Sequence, residues 1–95
     1  MQFLTLSRRR TDKFTDSDFA PHVSDEMQQI RAFYRDGFLR QIWRRDDLPG
    51  ACILWEAETQ EQVQELINKL PLFRAGMLEV VAMIPLKPYP GFCPQ

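Results

Sequence analysis

Residues 38–56 read Phe38-Leu-Arg-Gln-Ile-Trp-Arg-Arg45, then Asp46-Asp-Leu-Pro-Gly50, then Ala51-Cys-Ile-Leu-Trp-Glu56. Two segments rich in aromatic and β-branched side chains flank a run of turn formers, which predicts an antiparallel hairpin. Alternation puts Leu39, Gln41 and Trp43 on one face of its first strand and Phe38, Arg40, Ile42 and Arg44 on the other. The pattern alone leaves open which set meets a pocket.

What flanks the hairpin decides the fold. Upstream, Val23, Met27, Ile30 and Tyr34, widened by Phe33, recur at helical spacing and stop at Gly37, a residue that accepts positive φ. Several helix starts are available across residues 15–21, and Pro21 would be tolerated in a first turn. Downstream, Thr59 with Gln62 fits a capping box, and Val63, Leu66, Ile67 and Leu70 form a second stripe that Pro71 stops. Residues 2–7 alternate as a first strand, residues 77–84 read as a last one, and the prolines beyond forbid regular structure. The order β-α-β-β-α-β predicts an α+β, ferredoxin-like fold, one antiparallel sheet with both helices on one face.

The chain has 95 residues, 44% of them hydrophobic, which suits one domain over residues 1–85 with a proline-rich arm over 86–95. With 12 basic against 13 acidic side chains the net charge is −1, so a broadly cationic nucleic-acid binder is excluded. No apolar run approaches the ~18 residues of a membrane span, and no signal peptide is recognisable, so a cytoplasmic location is expected. Cys52 lies in an apolar run and Cys93 near the end; without a CxxC pair both read as free thiols. His22 is the only histidine, so neither a metal site nor a cofactor is expected.

In the last strand, Leu78, Val80, Ala82 and Ile84 are aliphatic and should face the helices. Met77, Glu79, Val81 and Met83 then face away, too apolar for a solvated surface. That face needs a cover, a pocket or a second subunit. Glu79 among these neighbours either pairs with an arginine or has its pKa raised by desolvation, which would suit proton transfer. The triple arginine at 8–10 reads as a solvated face. Residues 85–92 form a stiff arm carrying Leu86, Tyr89 and Phe92, expected to pack across a neighbouring subunit.

Gly37, Arg40 and Trp43-Arg44, the run Leu70-Pro71-Leu72-Phe73, and then Leu78-Glu79-Val80 resemble the muconolactone isomerase-like proteins of the dimeric α+β barrel superfamily. The likeness spans about residues 24–80, and the Leu-Pro-Leu-Phe run is its most specific piece. It implies a homodimer or a higher assembly of dimers, with two sheets facing each other, and a role in aromatic-compound breakdown. It further implies cofactor-independent proton-shift isomerisation of a small unsaturated lactone or carboxylic acid, a hydrophobic or anionic ligand. Glu79 or Glu26 would be the base and Arg40 or Arg44 the anchor for a substrate carboxylate, with Gln41 and Trp43 also binding substrate. On the family's strand parity the pocket is lined by Leu4, Leu6, Leu39, Gln41, Trp43, Met77, Glu79, Val81 and Met83. This chain departs from the family pattern where Leu4 and Leu6 replace polar residues and Gln41 replaces a histidine; glutamine hydrogen-bonds but does not shuttle protons. The alternatives are a non-catalytic binding or assembly protein of the same fold, or a cofactor-free oxygenase.

Overall fold

The computed structural model describes residues 1–92; Cys93, the second expected thiol, and the tail after it lie outside the described residues. The elements are β1 (Gln2–Arg9), α1 (Asp16–Arg35), β2 (Leu39–Arg44), β3 (Ala51–Glu56), α2 (Gln60–Ile67), α3 (Pro71–Arg74) and β4 (Leu78–Leu86). The four strands form one sheet in the order β2-β3-β1-β4, every neighbouring pair antiparallel. This is the expected α+β, ferredoxin-like arrangement, with one added helical turn, α3.

Local chemistry sets the boundaries. α1 begins early because the Asp18 carboxylate accepts the Thr15 N–H at 2.8 Å. Pro21 therefore sits inside the helix rather than in its first turn. α1 ends where Gly37 adopts φ +87°. There the Phe38 amide donates to the Phe33 carbonyl at 3.0 Å and the Gly37 amide to the Tyr34 carbonyl at 3.2 Å, the paired bonds of a Schellman stop. The Thr59 hydroxyl accepts the Gln62 amide at 3.0 Å and opens α2. Pro71 does more than stop that helix: it occupies the first position of α3, where its missing N–H has no intrahelical partner to lose. Pro85 lies within β4, an edge strand, whose free side tolerates a residue without an N–H.

The core lies between the sheet and the helices. Phe19 and Phe33 of α1, with Val63, Leu66 and Ile67 of α2, pack on Phe3, Ile53 and Trp55. Phe33 meets Trp55 edge to face, with ring centroids 5.7 Å apart. The Trp55 indole N–H donates to the buried Thr5 hydroxyl at 2.8 Å, so neither group is left unsatisfied. Met27 and Tyr34, expected on the inner stripe of α1, are exposed. The stripe that packs inward runs through Phe19, Glu26, Ile30 and Phe33 instead.

Two bulges correct the expected strand parity. In β4, Ser7 pairs with Val80 and Leu6 with Ala82, so Val81 is the extra residue. Leu78 and Val80 face the helices as expected, but beyond the bulge Met83 turns inward and Ala82 and Ile84 turn out, opposite Leu6 and Leu4. Met77, expected on the outer face, is buried in the core. In β2, Leu39 pairs with Trp55 and Gln41 with Leu54, which leaves Arg40 as the bulge. Leu39, Ile42 and Arg44 thereby share the helix side, and Leu39 is not part of an outer pocket. The outer face consists of Leu4, Leu6, Gln41, Trp43, Cys52, Leu54, Glu79, Ala82 and Ile84.

Candidate functional site

A cleft of about 470 Å³ opens between α1 and the helix side of the sheet, within the size range of small-molecule sites. Ile30, Ile42, Ile53, Leu70, Leu72 and Leu78 give it apolar walls. Polar groups reach it from three elements: Ser7 and Arg9 of β1, Glu26 and Arg31 of α1, and Arg44 of β2. Among the described residues Glu26 is the only carboxylate in the lining. Its Oε1 accepts the Leu72 backbone N–H at 3.0 Å. Burial pushes the Glu26 carboxyl above its ordinary value, against the Leu72 amide and the positive charges of Arg9 and His22, which favour the ionised form.

The mouth of the cleft is fixed by the hairpin loop. The Arg9 amide donates to the Pro49 carbonyl at 2.9 Å. The Ser7 hydroxyl spans the Ala51 amide and carbonyl, both at 3.3 Å. Arg45 grips Asp47 with two hydrogen bonds of 3.0 and 2.7 Å and reaches the Ser7 carbonyl at 3.3 Å. Gly50 allows the loop to seat, because a Cβ there would lie 2.1 Å from the Ser7 carbonyl oxygen.

The structure brings together three of the six residues singled out from sequence. Glu26 and Arg44 line the cleft from the helix side, and Trp43, which pairs with Cys52 on the outer face and is half exposed, borders it at the edge strand. Arg40 is exposed at its bulge and Gln41 turns to the outer face, where its Oε1 accepts the Ile42 amide at 2.9 Å. Glu79 is also on the outer face. Arg8 Nε and Nη2 each donate to it at 3.2 Å, and Arg10 Nη2 lies 3.7 Å away. Of the two environments expected for Glu79, the arginine pair is the one present. The hydrogen bonds from Arg8 hold its carboxyl below the usual range, so the raised proton affinity considered for it is corrected.

Arg9 and Arg31 were not anticipated. Arg9 lay inside a triplet read as solvated, yet strand alternation separates it from Arg8 and puts it on the face of Thr5 and Ser7. Its guanidinium lies 5.4 Å from the Phe19 ring centroid, which holds the charge at the cleft. Arg31 carried no comparable signal.

An antiparallel sheet backed by helices on one face, with an acid-bearing cleft between, defines a small α+β protein. Residues 1–91 match the family model described as muconolactone delta-isomerase, and the chain belongs to that family. Among solved structures it is similar to a muconolactone isomerase, with a TM-score of 0.81 and 17% identity over 100% of this chain and 97% of that one. It is also similar to the 5-chloro-2-hydroxyhydroquinone dehydrochlorinase of Burkholderia phenoliruptrix AC1100 in complex with 2,5-dihydroxybenzoquinone. There the TM-score is 0.55 and the identity 20%, over 88% of this chain and 89% of that one. Comparison with curated sequences gives no match. Among the described residues no helix is long and apolar enough to cross a membrane.

Proposed function

We propose that this protein catalyses a cofactor-independent proton shift in a small unsaturated lactone that carries a carboxylate, with Glu26 as the base. The observation that carries this reading is the cleft itself: one partly buried carboxylate among apolar walls, ringed by Arg9, Arg31 and Arg44. Burial raises the proton affinity of Glu26, and the arginines offer bidentate hydrogen bonds to a substrate carboxylate. Glu26 takes a proton from the carbon beside the conjugated system, and the C–H electron pair moves into that system. The new carboxylic acid then returns the proton at the far allylic carbon, which restores the carboxylate. With one carboxylate in the lining, a single group serves both transfers. Arg44 anchors the substrate, Trp43 covers its edge, and Arg9 and Arg31 stabilise the negative charge that develops. Membership of the muconolactone delta-isomerase family supports this chemistry.

The working unit is a dimer joined through the outer face. Leu4, Leu6, Leu54 and Ala82 are only half-buried in one chain, and Ile84 is 47% exposed. A face this apolar fits a second copy of itself. Tyr89 and Phe92 of the arm, also exposed, extend the contact.

The test is incubation with muconolactone in D₂O, followed by NMR. Isomerisation supports the reading, with deuterium gained at the newly protonated carbon only to the extent that the Glu26 carboxyl exchanges with solvent before the return. Binding without exchange or turnover makes the protein a ligand carrier and refutes it.

A further inference from the structure

The reaction above uses the side chains around the cleft but gives no task to the run Leu70-Pro71-Leu72-Phe73. We propose that the backbone amide of Leu72 is the positioning group for Glu26: it holds Oε1 and so presents Oε2 as the oxygen that meets the substrate. This rests on Glu26 being the base.

The geometry has three parts. Leu72 N donates to Glu26 Oε1 at 3.0 Å, in a partly buried setting. Leu72 is the second residue of α3, and amides in a first helical turn have no intrahelical acceptor, so this donor is free for a group from elsewhere. Pro71, at the first position, fixes the backbone that aims it. Leu70 and Leu72 are each 2% exposed, so both flanks of the amide are anchored in the core. α1 supplies the carboxylate and the turn after α2 supplies its clamp. Glu26 Oε2 makes no hydrogen bond to the described residues.

The amide also opposes the effect of burial. The charged groups around Glu26 are Arg9 from β1, His22 and Arg31 from α1, and Arg44 from β2; α3 contributes the amide. A donor to the ionised form keeps a buried carboxylate ready to accept a proton near neutrality.

The experiment replaces the 71–72 peptide bond with an ester, using the α-hydroxy acid that keeps the leucine side chain, in the full chain assembled by ligation. Two measurements follow: the ¹³C titration of the Glu26 carboxyl, and the pH profile of kcat/KM with muconolactone. The expected result is a Glu26 pKa higher by about one unit, as for loss of a hydrogen bond to a charged group. The acid limb of kcat/KM should move with it, and kcat should fall while KM stays near its original value. A folded ester variant with an unmoved titration overturns the proposal. Should the ester fail to fold, Pro71→Ala decides: it keeps the amide but loosens its aim, so a smaller rise in the same direction is expected, and no rise overturns the proposal. Full activity in Glu26→Gln refutes the base assignment instead, and leaves the titration to judge the clamp alone.

Discussion

One informative carboxylate lies on each side of the sheet, Glu26 on α1 and Glu79 on β4, and their surroundings differ in every respect that matters to acid–base chemistry. Glu26 lies on the helix side in an apolar cleft, held by a backbone amide, with burial raising its proton affinity. Glu79 lies on the outer side, 36% exposed, and two arginines keep it ionised. A carboxylate locked to a guanidinium is a poor base, because its lone pairs are committed and protonation must break the pair. Proton affinity follows from what surrounds a group rather than from how apolar its strand looks.

The largest effect expected from this contrast is on turnover. Glu26→Gln should lower isomerisation by roughly 10²–10⁴-fold, the usual contribution of a general base. Glu79→Gln should change it by less than about tenfold, within what indirect effects on a remote pair produce. Equal losses in a steady-state assay would break the comparison.

The next effect is on assembly. Leu6→Glu or Ile84→Glu places a charge on the outer face and should convert the dimer to monomers in analytical ultracentrifugation. Ile30→Ala, on the cleft side, should leave the mass unchanged. A dimer that survives both charged variants would show that the outer face is not the interface.

Gly50→Ala should act on the helix side through stability. Its methyl group cannot fit 2.1 Å from the Ser7 carbonyl oxygen, so the hairpin loop must lift from β1. A loss of about 1–3 kcal/mol is expected by chemical denaturation, as for other overpacked sites.

The smallest effect is the most diagnostic, because the two carboxylates should give opposite pH slopes. The folded pKa of Glu26 is raised from 4.5, so its contribution to stability is full below that value and is lost as pH rises through the raised one. The folded pKa of Glu79 is lowered from 4.5, so its contribution is present above that value and is lost as pH falls through the lowered one. Measured as Tm against pH, the Glu26→Gln variant should gain on the wild type as pH rises from 4 to 7, by about 1–3 °C, while Glu79→Gln should lose ground by a smaller margin. Parallel curves would contradict the assigned environments.

The element order was readable from periodicity, since each stripe and each turn agreed with one topology. The cleft was only half readable. Alternation is a reliable guide along a strand until a bulge inserts a residue, and neither Arg40 nor Val81 differs in composition from a paired position. Beyond Val81 the faces are reversed, with Met83 inward and Ala82 and Ile84 outward, and before Arg40 the side chain of Leu39 parts from Gln41 and Trp43, which share one face as read. Glu26 was legible only through the family likeness, and helical periodicity did not show that it turns inward. An acid that turns inward on a helix leaves a gap in the hydrophobic stripe, and Met27 next to it fills that gap in the sequence pattern while remaining about half exposed at the cleft. Arg9, by contrast, could have been found, because its parity with Thr5 and Ser7 needed no knowledge of a bulge.

The same two irregularities bear on how copies of the chain meet. β2 and β4 are the edges of the sheet, and each carries one bulge. β2 adds Arg40 and Arg44 to its rim, and β4 carries Pro85, which has no N–H to offer, one residue before its end. A neighbouring strand approaching either rim would find a broken ladder, a row of charge or a missing donor. Growth of the sheet by strand addition, the route to fibrils, is thereby discouraged at both ends, and the broad apolar face remains as the surface for orderly association.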